Sequence, residues 1–327
     1  MSTAPPAVPY EATAQRPDWA DLPAAVRAAV AHRLGSRVVG ATTARGGFSS
    51  AFTAVLRTAA GDRVFLKAAA RDEHPLLADW YAREAAITAA LPAAVRAARP
   101  RWSMHVAGYA LLCLDAVPGR MPVLPWRAGQ LAATLDAWAA AAEALADPPA
   151  GLRALRLPRL ADIARADLAH WAPVAAGRAP LPAGTPRAVA AHVAELADLE
   201  AAVPGYVDAP GVTHLDLRAD NVLIDADGAA WFCDWNWSCH GAAWFDTAVL
   251  LVTAHASGLD ADALFVAHPT ARGVPPEALD ALLAAMTGYW LHSAAEPPVP
   301  GSPWLRRHQR WSGEQAFAWL ARRRGWG

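Results

Sequence analysis

Val212-Thr213-His214-Leu215-Asp216-Leu217-Arg218-Ala219-Asp220-Asn221-Val222-Leu223-Ile224 is the stretch on which the reading of this chain turns. A short apolar strand delivers Asp216 at a loop, Asn221 follows five positions later, and a turn over residues 225–228 reverses the chain. A second apolar strand, Trp231-Phe232-Cys233, then brings Asp234 alongside. One carboxylate in such a set can accept a proton from a hydroxyl, while an amide oxygen and a second carboxylate can hold Mg²⁺ against a nucleotide's phosphates. That division of labour is the one phosphoryl transfer requires. His-x-Asp-x-x-x-x-Asn alone arises by accident in roughly one or two chains per hundred of this length. The strand, turn and returning Asp234 lift the reading above turn-forming residues in unrelated loops.

Upstream, residues 38–70 read as an antiparallel meander of strands at 38–43, 51–57 and 63–69. The first turn is Arg45-Gly46-Gly47-Phe48-Ser49-Ser50, where glycine lets backbone come close to phosphate and donate amides to it. Gly47, Ser49 and Ser50 are therefore candidate phosphate contacts, although a Gly-Gly hairpin alone is more often only a turn. Lys67 ends the otherwise apolar run Val64-Phe65-Leu66, and an ammonium buried there needs a partner. Glu84 supplies one, because Trp80, Glu84 and Ile87 share a face of a helix expected over 79–91. A lysine held by a helix carboxylate and aimed at the α- and β-phosphates is again phosphoryl-transfer equipment.

Two further strands are expected at 101–106 and 109–115, after which Pro118-Gly119-Arg120, Pro122 and Pro125 mark a hinge. Beyond it the pattern is helical, at roughly 127–146, 159–171, 187–203, 243–257, 276–293 and 303–323, interrupted only by the hairpin at 222–234. Residues 1–18, rich in proline and polar, read as a loosely held arm, and a helix capped near Asp21 with Pro23 in its first turn follows. The expected architecture is α+β and bilobal: the arm, a nucleotide-binding lobe at 19–116, and a largely helical lobe at 117–327 carrying the catalytic loop and acceptor site.

Composition bounds the partners. A formal net charge of −1 over 327 residues gives no global field for nucleic acid or an anionic membrane. The three cysteines, Cys113, Cys233 and Cys239, lack metal-ligand spacing and read as reduced thiols, and neither a leader nor a long apolar run is evident, so a cytoplasmic location is expected. The oligomeric state is not legible.

A glycine-rich hairpin, a strand lysine, a helix glutamate, a hinge and the Asp216, Asn221 and Asp234 cluster occur in this order, which resembles the aminoglycoside phosphotransferase family of the protein-kinase-like fold over roughly residues 36–325. The resemblance implies that Asp216 is the catalytic base, that Asn221 and Asp234 ligate magnesium, and that Lys67 with Glu84 positions the triphosphate of ATP or GTP. It further implies that the strand holding Cys113, Leu114 and Asp115 gives backbone groups to the purine, that His214 braces the loop, and that Asp246 anchors structure. The chain departs from the family in having Leu215 where Gly is frequent and Arg218-Ala219-Asp220 where His-Pro-Gly precedes the asparagine. Arg218 stands where protein kinases carry a basic residue that offsets charge on the transferring group; pairing with Asp220 or Asp225 at the surface is the alternative.

Only eleven residues separate Asp234 from Asp246, too few to seat a peptide, so a small-molecule acceptor is expected. The fifteen tryptophans read first as core, and as acceptor-pocket lining second. Arg306, Arg307, His308 and Arg310 against Glu296 and Glu314 weaken the case for a polycationic aminoglycoside, and a neutral or mixed acceptor such as a nucleoside- or macrolide-like antibiotic fits as well. A metabolite kinase of the choline, homoserine or fructosamine type is the alternative. From another class, so is a nucleotide-binding pseudokinase, against which the intact Lys67, Asp216, Asn221 and Asp234 argue.

Overall fold

A computed structural model describes residues 8–326. Its first half is a five-stranded antiparallel sheet in the order β1-β2-β3-β5-β4, built from β1 (Val38–Thr43), β2 (Phe52–Thr58), β3 (Arg63–Ala70), β4 (Pro100–Val106) and β5 (Tyr109–Asp115). Strand alternation sorts its side chains into two cores. Leu56, Val64, Leu66, Leu111 and Cys113 pack under α1 (Ala24–Arg33), whose Val26 and Val30 are fully buried. Burial of each such valine contributes about 1.5–3 kcal/mol, which seats a helix that few of its own interactions would hold. The opposite face meets α2 (Pro75–Ala90) through Ala69, Tyr81, Leu112 and Leu114. Lys67 lies between Leu66 and Ala68 in β3 and so points to the α2 side, where Glu84 is.

α2 begins at Pro75, four residues before the expected start, with proline in the first turn, where its missing N–H costs nothing. The second half is helical, led by α3 (Ala128–Leu145) and by the long helices Trp244–Ala256, Pro276–Ala295 and Leu305–Arg324, around one continuous core. Residues 187–203 divide into Arg187–Ala190 and Val193–Glu200, and a helix at Ala261–Ala267, capped by Asp260, was not anticipated. The strands Val222–Asp225 and Ala230–Phe232 form the expected hairpin, to which Gly119–Arg120 of the linker adds a third strand. Thus the linker is sewn to the loop that carries Asp216.

The expectation of a loose arm at 1–18 needs correcting for residues 8–18; residues 1–7 lie outside the described residues. Val8, Tyr10, Thr13 and Ala14 are buried; Thr13 and Ala14 bond the glycine-rich hairpin and Tyr10 bonds the last helix. Tryptophan serves the core: Trp138, Trp171, Trp235 and Trp319 are fully enclosed, whereas Trp237 is exposed. No helix among the described residues is long and apolar enough to cross a membrane.

Candidate active site

The loop after Val212–Thr213 is held from below by Asp246, whose carboxylate accepts from the Thr213 hydroxyl, from the His214 amide at 2.7 Å and from the Leu215 amide at 3.2 Å. Leu215 adopts a left-handed backbone, φ +70°, a conformation that glycine takes without strain. Burial pushes the His214 pKa down and keeps the ring neutral. Its Nε2 donates to the Cys233 carbonyl at 2.8 Å, and its Nδ1 accepts from the Asp216 amide at 3.3 Å. The ring therefore ties the Asp216 loop to the returning strand.

Asp216 accepts from Asn221 Nδ2 at 2.9 Å and from the Arg218 guanidinium, and the same Asn221 nitrogen donates to the Asp216 carbonyl at 2.8 Å. Burial pushes its carboxyl up to about 6 against the pull of Arg218. Arg218 meets Asp220 with two parallel bonds, Nε to Oδ1 at 2.9 Å and Nη2 to Oδ2 at 3.0 Å. It thus bonds both carboxylates and leaves Asp225 to cap the hairpin through the amides of Asp227 and Ala229.

Across the cleft, Lys67 Nζ donates to Glu84 at 2.7 and 2.8 Å and also to Asp234. Burial alone would lower the Lys67 pKa, but the two carboxylates outweigh it and hold the ammonium above its ordinary value. Burial raises Glu84 in turn, against Lys67. Asp234, left-handed at φ +61°, is held below the usual carboxylate range because Lys67 overcomes its desolvation. The Asn221 carbonyl accepts from the Cys233 amide at 2.9 Å, so Asn221, just before the strand Val222–Asp225, lies beside the segment that runs from Ala230–Phe232 to Asp234.

The glycine-rich hairpin is folded down onto the second lobe. Phe48 stacks on the His308 ring with centroids 4.8 Å apart, lies under the Arg218 guanidinium, and accepts a hydrogen bond on its carbonyl from Ser302. Gly47, at φ +76°, has its carbonyl bonded by Thr13, while Ser49 accepts from Arg16 through both carbonyl and hydroxyl. Ser50 packs against Gly301. The segment expected to meet the purine lies in β5. β5 is flanked by β3 and β4, so the backbone groups of Cys113 and Leu114 are committed to the ladder, and the Asp115 amide donates to the Arg99 carbonyl at 2.8 Å. The first backbone beyond the ladder is at residues 116–118. Burial also pushes the Cys113 and Cys233 thiols up to about 12, leaving them inert.

Sequence reasoning missed Tyr10, Thr13, Arg16, Phe48, Ser302 and His308 as members of this site. Phe48 alone carried a signal, an aromatic at the tip of an otherwise polar turn.

A sequence profile of the phosphotransferase enzyme family (APH) matches residues 40–282. No curated protein matches in sequence. Among solved structures, a thermostable mutant of aminoglycoside phosphotransferase APH(4)-Ia in its apo form aligns with a TM-score of 0.61 at 15% identity, over 90% of this chain and 98% of that one. Spectinomycin phosphotransferase APH(9)-Ia with ADP and spectinomycin aligns with a TM-score of 0.56 at 12% identity, over 87% and 94%. An aminoglycoside phosphotransferase from Alicyclobacillus acidocaldarius gives 0.51 at 15% identity, over 88% and 92%. At these identities the likeness is one of fold.

Proposed function

Because the chain belongs to the phosphotransferase enzyme family and is a nucleotide-dependent kinase of small molecules, we propose that it moves the γ-phosphoryl group of ATP or GTP to a hydroxyl of an antibiotic-like acceptor. The observation that carries this reading is the Lys67 ammonium, which joins Glu84 of α2 to Asp234 of the second lobe while Asp216 and Asn221 face the same cleft. Asp216 takes the proton of the acceptor hydroxyl. With its carboxyl near 6 it is ionised at neutral pH yet a better base than an exposed aspartate. Arg218, bonded to it, offsets charge on the transferring group.

Asn221 and Asp234 suit magnesium. Both offer hard oxygen donors, and because the Asn221 nitrogen is committed to Asp216, its Oδ1 is left to a ligand. Among the described residues no three His, Cys, Asp or Glu side chains converge on a closed metal site. An ion shared with phosphates takes only one or two protein ligands, so the pair is sufficient. When bound, magnesium neutralises charge on the nucleotide's terminal phosphates.

The acceptor is read as neutral or mixed in charge. A polycation calls for several free carboxylates, whereas Glu296, at the end of the helix Pro276–Ala295, is engaged by Arg306 at 3.0 Å, and Arg310 is spent on the carbonyls of Ala183 and Gly184. Nucleoside- and macrolide-like antibiotics fit this better than aminoglycosides. The test is a panel of these three classes plus choline, homoserine and fructosamine, each incubated with ATP or GTP and read by mass spectrometry for one added phosphoryl group. A product from a nucleoside or macrolide supports the reading. Products only from the metabolites or the aminoglycosides replace the acceptor class, and no product from any member overturns it.

A further inference from the structure

Among the described residues Arg16 is a site cation with no carboxylate in salt-bridge reach. Its Nε donates to the Ser49 carbonyl at 2.8 Å, Nη1 to the Ala44 carbonyl at 2.5 Å and to the Thr53 hydroxyl, and Nη2 to the Ser49 hydroxyl at 3.3 Å. All four acceptors are neutral, and among the described residues no carboxylate lies within salt-bridge distance of it. The guanidinium sits inside the glycine-rich hairpin, so close that a Cβ on Gly47 would meet Nη2 at 3.3 Å. Burial lowers its pKa, and the first opposing charge it feels is that of Asp234, which also bonds Lys67. The neighbouring cations are differently placed: Lys67 faces Glu84 and Asp234, and Arg218 faces Asp216 and Asp220. Each of those clusters carries more negative than positive charge, which opposes the entry of a polyphosphate. Arg16 is the group whose charge remains to be matched.

Its placement is built. The Ala14 amide donates to the Arg45 carbonyl at 2.9 Å, the Gln15 amide to the Gly301 carbonyl at 2.8 Å, and the Thr13 hydroxyl to the Gly47 carbonyl at 2.5 Å. At the other end, Tyr10 donates to His308 Nδ1 at 2.8 Å, and His308 is a ready acceptor because burial pushes its pKa down to about 3. Residues 10–16 therefore form a strap fixed to both lobes. Holding a partly desolvated guanidinium on neutral acceptors is costly unless an anion completes it, and the one Nη2 N–H left after those four bonds can donate to a phosphate oxygen.

We propose that Arg16, delivered by this strap, is a ligand of the nucleotide's phosphates, a role that rests on the kinase reading above. The test uses the full chain and equilibrium titration with ATP, GTP and the corresponding nucleosides. Arg16→Gln is expected to weaken triphosphate binding about ten- to hundredfold, the range of one charge-assisted contact. Nucleoside affinity stays unchanged, and Arg16→Lys, which keeps the charge but loses the fork, falls between. Unchanged or tighter triphosphate binding in Arg16→Gln overturns the proposal, the latter making Arg16 a plug. Equal weakening of nucleoside and triphosphate also overturns it, since Arg16 would then only support the hairpin. If the unaltered chain binds neither triphosphate, the kinase reading itself fails and this inference with it.

Discussion

On the proposed reading Asp216 and Lys67 serve different halves of the reaction, and their removal should separate binding from chemistry. Asp216→Asn keeps the hydrogen bond from Asn221 available while abolishing the base, so nucleotide affinity should persist and turnover fall about a hundred- to ten-thousandfold. Lys67→Ala instead leaves Glu84 buried without its cation. It should weaken nucleotide binding and lower stability by about 3–5 kcal/mol without abolishing the fold. Nucleotide titration, single-turnover transfer and thermal melting of both variants check this contrast. Transfer at the unaltered rate in Asp216→Asn would sink the assignment of the base. Both residues were legible in the sequence for the same reason. Asp216 is defined by its five-residue step to Asn221, and Lys67 by being a charge in an apolar strand, and each signal is local.

The glycine-rich hairpin carries two duties. Its glycines were read as room for phosphate, yet Gly46 also makes room for the strap, since a Cβ there would meet the Tyr10 carbonyl at 2.9 Å. Gly46→Val should therefore lift residues 8–16 while leaving α1 and the sheet in place. Hydrogen exchange reads this directly: the Ala14 and Gln15 amides, which donate to Arg45 and Gly301, should lose protection, and those of β3 and β5 should not. Protection unchanged at Ala14 would show that the strap does not depend on the glycine. α2 shows where reading an element from sequence fails: its face was right and its start was not, because Pro75 sits in the first turn, where a proline is tolerated.

At the scale of the molecule, the two lobes share apolar packing, with Ile87, Leu91, Val95 and Ala97 in the core of the second lobe, and specific polar contacts. The Phe232 amide donates to the Arg96 carbonyl at 2.9 Å, Arg83 donates to the Ser238 carbonyl at 2.8 Å, and Lys67 reaches Asp234. The second lobe is organised on Trp138, fully buried, edge-on to Phe232 with centroids 5.8 Å apart, and donating to the Ala243 carbonyl at 3.2 Å. It joins α3 to the catalytic hairpin and to the helix that holds Asp246. Trp138→Ala should cost about 3–5 kcal/mol, read as a shift in the denaturant midpoint. A shift within error would mean that the hairpin is held by other contacts.

Local signals in the chain are enough for the two-lobed α+β order, the faces of β3 and α2 that bring Lys67 to Glu84, and the loop-and-hairpin set of Asp216, Asn221 and Asp234. Each of these follows from periodicity, turn chemistry or a charge on an apolar face, all expressed within about a score of residues. Long-range packing makes residues 8–16 a strap, brings Phe48 to His308 and Arg218, and sets Arg16 inside the hairpin. Tyr10 and His308 are 298 positions apart, and Thr13 and Gly47 are 34 apart. A proline-rich segment with no period of its own carries no local sign of its partners. Its order comes from complementarity to surfaces that exist only once both lobes have folded.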